Sequence, residues 1–155
     1  LPETSVAVNI GGHYNNNACV GPNANCTEAN LDVQYLMAVS QTTPTTFMYW
    51  NGTDFWLDWI TSVAEMEDPP KVISFRYFED ESSVSLSIAN AFNWEALTLS
   101  LSGTTIVVAS GDDCAVGSDA RNDPLSCGFY PQFPATSPYV TSVGATMVRF
   151  FLQCA

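Results

Sequence analysis

The sequence has 155 residues, 46% of them hydrophobic and 12% aromatic, and sets 16 Asp and Glu against four Lys and Arg for a net charge of −12. A chain of this length and apolarity builds a core rather than staying disordered. Its charge excludes nucleic acid and anionic membranes as partners, and no apolar run is long enough to span a bilayer.

In chain order, Ser5 to Ile10 alternates up to Gly11-Gly12 and reads as a short strand. The stretch from His13 to Asn25 is a polar loop. His13 is the only histidine and reads as a surface residue; with no second histidine and no Cys-x-x-Cys pair, no zinc site is expected. Thr27 caps a helix that continues to Val39. Apolar residues fall on every side of it, which predicts a buried helix. Glu28 and Asp32 stand one turn apart on one face of that helix. Two ionised carboxylates so placed repel; a desolvated pair shares a proton, as a general base requires. The competing reading makes Glu28 a first-turn residue matched to the helix dipole and Asp32 a solvated neighbour.

Thr46 to Trp50 reads as a buried strand and Asn51-Gly52 as a turn. Asp54 is placed to cap a helix through Met66, with Phe55, Trp56, Trp59, Ile60 and Val63 at helical spacing, until Asp68-Pro69-Pro70 stops it. Lys71 to Tyr77 is the next strand, and Glu79-Asp80-Glu81 reads as a solvated acidic turn. Ser82 to Leu101 predicts a long helix turning Val84, Ile88, Ala91, Phe92, Trp94 and Leu99 inward. Gly103 ends it. Thr105 to Ala109 is a β-branched run of the kind found in central parallel strands. Strands and helices alternate, which predicts an α/β fold with a mostly parallel sheet and right-handed crossovers. Ligands gather at the carboxyl ends of such strands, where Ser110-Gly111-Asp112 follows directly. On the residues alone, Asp112 is as readily a loop-capping group.

Five cysteines point to an oxidising compartment. Cys19 with Cys26, and Cys114 with Cys127, are candidate disulfides closing loops, with Cys154 left over. Asn25-Cys26-Thr27 and Asn51-Gly52-Thr53 fit the N-glycosylation pattern, Asn51 being the better placed. A secreted route or an acidic lysosomal or vacuolar lumen is expected, and Leu1 reads as an internal position of a longer precursor.

Three stretches carry a resemblance: Glu28-Ala29-Asn30-Leu31-Asp32-Val33-Gln34-Tyr35-Leu36, Ser110-Gly111-Asp112, and Phe133-Pro134-Ala135-Thr136-Ser137-Pro138-Tyr139-Val140-Thr141-Ser142-Val143-Gly144-Ala145-Thr146. In this order they resemble the sedolisin family of serine-carboxyl peptidases, in particular its tripeptidyl-peptidase branch. The resemblance implies Glu28 as general base, Asp32 as its support and Asp112 as an oxyanion-hole donor. It also implies a subtilisin-like, mostly parallel sheet with helices on both faces, incomplete at its C-terminal side, with residues 1–155 as a single partial catalytic domain. A protonated Asp donates a hydrogen bond to an oxyanion in acid, where a histidine base would be charged.

The family's serine lies further on, in a Gly-Thr-Ser-x-x-Ser segment, and so does its calcium loop. No metal or cofactor is therefore expected in this chain. Ser102-Gly103-Thr104-Thr105 is faintly similar but lacks the serine and stands in the wrong place. Peptide or protein substrates are implied, with a second chain supplying the serine as one expectation and self-assembly as another. The alternative is a catalytically inactive sedolisin-like glycoprotein with a binding or structural role. Two departures bear on the site. Arg76-Tyr77-Phe78 replaces the family's Ser-Tyr-Gly or Ser-Trp-Gly at a strand end that contributes to the substrate cleft. Asp113-Cys114 replaces Ser-Gly after Asp112. The tail Met147 to Ala155 also leaves the family pattern.

Overall fold

The computed structural model describes residues 8–11, 27–50, 54–113, 116–118, 123 and 128–145. The chain divides into two compact units, Leu1–Asn51 and Gly52–Ala155.

In the first unit, β1 (Val8–Ile10) pairs in parallel with β2 (Thr46–Met48), setting Val8 opposite Thr46 and Ile10 opposite Met48. Between them in sequence runs α1 (Thr27–Ser40), with Glu28 in its first turn. The expected burial of this helix does not occur: none of its residues is buried, and Tyr35 and Val39 are 68% and 83% exposed. An apolar pattern all round a helix tells how much surface it would bury, not which neighbours cover it, and the described strands on either side of α1 in sequence have three residues each.

The second unit opens with α2 (Phe55–Ala64) and continues through β3 (Val72–Phe75), β4 (Glu79–Asp80) and α3 (Leu86–Leu101) to β5 (Thr105–Ala109). β6 (Gln132–Phe133) and β7 (Thr141–Val143) follow. β5 lies between β3 and β7, and all three run parallel, as the β-branched run predicts. Burial alternates along β3 and β5, so Ile73, Phe75, Ile106 and Val108 form one face of the core. The helices pack on each other and α3 packs on β5. Their buried residues keep helical spacing: Trp59, Ile60 and Val63 on α2, and Phe92, Ala96 and Leu99 on α3. Phe133 joins them, its ring centroid 5.1 Å from that of Phe92 and 5.8 Å from that of Trp56, both edge to face.

α3 begins later than expected. Glu81–Ser83 form a single 3-10 turn, Val84 is extended, and the Ser85 hydroxyl accepts from the Ile88 amide at 3.3 Å. That cap sets the helix start at Leu86, since its oxygen satisfies one of the donors a first turn leaves open. Gly103 closes the helix with φ +87°. Its amide donates to Ser100 and that of Thr104 to Leu99, at 3.0 and 2.9 Å, the paired bonds of a left-handed C-terminal cap. On α2, Asp54 occupies the N-cap position but its side chain makes no capping bond, and the helix stops at Ala64 rather than Met66.

Two further expectations fail in this unit. Glu79-Asp80 is not a free acidic turn but a strand, antiparallel to Gln132-Phe133, and the Glu81 amide donates to Pro131 at 2.8 Å. Trp94, expected to face the sheet, is 69% exposed. Phe92 and Trp94 therefore make a discriminating pair. Phe92→Ala is expected to cost about 3–5 kcal/mol in chemical denaturation, the range for deleting a buried aromatic ring. Trp94→Ala should stay within about 0.5 kcal/mol of the parent. Among the described residues, no helix is long and apolar enough to cross a membrane.

Candidate active site

Parallel pairing brings three strand ends to one edge of the second unit. β3 and β5 are in register from Val72 opposite Thr105 to Phe75 opposite Val108, and Ala109 of β5 lies opposite Val143 of β7. Arg76-Tyr77-Phe78, Ser110-Gly111-Asp112-Asp113 and Gly144-Ala145 therefore leave the sheet at its carboxyl edge. The Ser110 amide donates to the Val143 carbonyl at 3.0 Å, carrying the β5–β7 ladder one residue into the turn. A methyl group at Gly144 would lie 2.9 Å from Ser110 Oγ, so that hydroxyl would have to turn aside to admit it.

Gly111 turns the chain with φ +99°, a conformation open to glycine and strained for side chains. A methyl group there would also meet Gln132 Cγ at 2.8 Å. Gln132 is buried; its side-chain amide donates to the Asp80 carboxylate and, at 3.0 Å, to the Tyr130 carbonyl. Asp112 is exposed at the mouth of this turn, whereas Asp113 is half-buried. Phe78, Asp80, Asp112, Asp113 and Gln132 line a cavity of about 40 Å³, room for a water or two but not for a peptide side chain. Next to it, sharing Asp80, lies a larger hollow of about 340 Å³ between Glu81-Ser82 and Phe129-Tyr130-Pro131.

The three substrate-cleft candidates separate at this edge. Arg76 is exposed, while the Tyr77 ring stands edge-on to Phe55 at 5.7 Å and so braces α2. Only Phe78 of the three lines the cavity at Asp112. In the first unit, Glu28 and Asp32 sit one turn apart on α1, both half-buried. Glu28 lies in the first turn, where the amide dipoles favour a carboxylate.

Sequence reasoning missed Asp80 and Gln132. Asp80 lay inside a charge run that normally marks solvated chain, and Gln132 lay just ahead of the Phe133-Pro134-Ala135 stretch. The disulfide candidates Cys19, Cys26, Cys114 and Cys127 lie outside the described residues, as do Asn25, Asn51, His13 and Cys154. Among the described residues, no group of three His, Cys, Asp or Glu is placed to hold a metal ion.

No protein-family model matches the chain. It is 33% identical over 137 residues to tripeptidyl-peptidase 1 of Dictyostelium discoideum, an alignment covering 84% of this chain and 22% of that protein. With human tripeptidyl-peptidase 1 it shares 35% over 124 residues, 77% of this chain and 21% of the human protein. With physarolisin of Physarum polycephalum it shares 31% over 164 residues, 96% of this chain and 26% of that protein. The chain thus spans about a fifth to a quarter of the length of these relatives. The structure of Pseudomonas sedolisin, a serine-carboxyl proteinase complexed with two molecules of pseudo-iodotyrostatin, matches with a TM-score of 0.68. That match has 19% identity and covers 90% of this chain and 40% of that one, showing the fold. The parallel sheet, the motif order and these relatives agree: the chain belongs to the sedolisin family and is similar to tripeptidyl-peptidase 1.

Proposed function

We propose that this chain forms the proton-transfer and oxyanion side of an acid-acting serine-carboxyl peptidase. Glu28 accepts the proton of a serine hydroxyl as that oxygen attacks the peptide carbonyl. Asp32 orients Glu28. Asp112 donates a carboxyl O–H to the oxyanion of the tetrahedral intermediate. The leaving amine takes the proton back from Glu28, and water then repeats the sequence on the acyl-enzyme. Substrates are peptides or proteins, and the chain's net charge of −12 suits an acidic lumen or medium.

The observation that carries this reading is the position of Ser110-Gly111-Asp112 at the carboxyl end of the middle parallel strand. The 155 residues contain no Gly-Thr-Ser-x-x-Ser segment, so the reading assigns the serine to polypeptide outside them. The test compares the 155 residues alone with the assembled peptidase, the form in which the chain meets such a segment. A fluorogenic peptide should be cleaved by the assembled form at about pH 3 to 5, across the ordinary titration range of carboxyls, and not by the 155 residues alone. Equal cleavage by the isolated chain, or cleavage by the assembled form at neutral pH only, would overturn the assignment.

A further inference from the structure

We infer that Gln132 is a positioning residue for Asp112, acting as a buried strut between Asp80 and the back of Gly111. The inference rests on the reading of Asp112 as oxyanion donor.

Three observations lead to it. Gln132 is 8% exposed, and both acceptors it reaches are oxygens, the Asp80 carboxylate and the Tyr130 carbonyl. Only the two hydrogens of an amide nitrogen serve both at once, which fixes the orientation of the amide. The aliphatic part of the same side chain lies against the turn: a methyl group at Gly111 would be 2.8 Å from Gln132 Cγ and 3.7 Å from both Cβ and Cδ. Finally, the far end of the strut is itself anchored. Asp80 pairs with Gln132 in the β4–β6 ladder, and the Glu81 amide holds the Pro131 carbonyl.

The strut lies in an acidic setting. Asp80, Asp112 and Asp113 all border the small cavity that Gln132 lines. A second carboxylate in place of the amide would be repelled by Asp80 when both are ionised, and would bond to it when one is protonated. Isosteric exchange of amide for acid therefore converts a positional contact into a pH-dependent one.

The test uses the assembled peptidase and three variants. Gln132→Leu keeps the bulk but loses both donors, and is expected to lower kcat about tenfold or more, with KM within about twofold, because a catalytic group is displaced while substrate contacts stay. Gln132→Glu should retain most of the parental kcat below about pH 4, where an acid side chain is protonated, and lose it as the pH rises. Asp80→Ala should reproduce the Gln132→Leu effect from the other end of the strut. In parallel, the backbone amide signals of Gly111 and Asp112 should move in the 155-residue chain on Asp80→Ala, a readout that needs no activity.

Parental kcat in Gln132→Leu, or Gly111 and Asp112 signals unmoved by Asp80→Ala, overturns the inference. So does a loss in Gln132→Glu that is equal at every pH and follows the melting temperature, which would mark a packing role. If Asp112→Asn leaves hydrolysis intact while the amide signals still respond, the oxyanion reading fails and the strut stands as a structural contact only.

Discussion

Glu28→Gln in the assembled peptidase is expected to lower kcat by about 10³-fold, within the range contributed by a positioned general base, and to leave KM within about twofold. The substitution keeps the length and planarity of the side chain while replacing a carboxylate that can take up a proton, as the proposed role requires, with a neutral amide that cannot. Asp32→Asn should cost less, about 10²-fold, because in the proposed mechanism Asp32 acts through Glu28 rather than on the substrate. The two sit one turn apart on α1, so their effects should not add. A double variant is expected to be little worse than Glu28→Gln alone, since a support has nothing to support once the base is gone. Steady-state kinetics on one peptide across the acid range decides this. Losses that multiply in the double variant would show two independent roles, and a larger loss at Asp32 would exchange the assignments.

Much of the second unit was legible because its signals are local and periodic. Thr105 to Ala109 announces a central parallel strand by β-branching, and Gly103 marks the end of the helix before it through a left-handed conformation that other side chains adopt only under strain. The position of Asp112 followed from those two. The contacts behind Asp112 were not legible. β4 and β6 have two residues each, too short to show alternation, and they join residues 52 apart in sequence. A charge run such as Glu79-Asp80-Glu81 looks the same whether water or a buried amide answers it. Trp94 was misread for a related reason. On a helix apolar around most of its circumference, spacing alone does not say which side meets the sheet, and Phe92, Ala96 and Leu99 took that side. The exposure of α1 exceeds what its own residues can forecast, because burial depends on how much surface the neighbouring elements offer.

Gly111→Ala should show how tightly the turn carrying Asp112 is held. Two costs fall on the same atom. The backbone at φ +99° strains a side chain by about 1–2 kcal/mol. The added methyl group would sit 2.8 Å from Gln132 Cγ, near the root of a buried side chain held by two hydrogen bonds, and overpacking of this kind costs about 1–3 kcal/mol. Together they predict a loss of about 2–5 kcal/mol, a large part of the stability of an ordinary domain. Gly103→Ala supplies the control. Its φ is +87°, yet nothing lies within 4 Å of the position a methyl group would take, so it bears the backbone term alone. It should lose about 1–2 kcal/mol and keep the parental kcat in the assembled peptidase. Gly111→Ala, by contrast, should lose about 10²-fold in kcat as the turn shifts Asp112. Pairing it with Gln132→Ala should recover stability only if the clash outweighs the loss of the amide's two bonds. Equal melting temperatures for the Gly111 and Gly103 variants would mean that Gln132 yields freely, and that the turn carrying Asp112 is set by its own backbone.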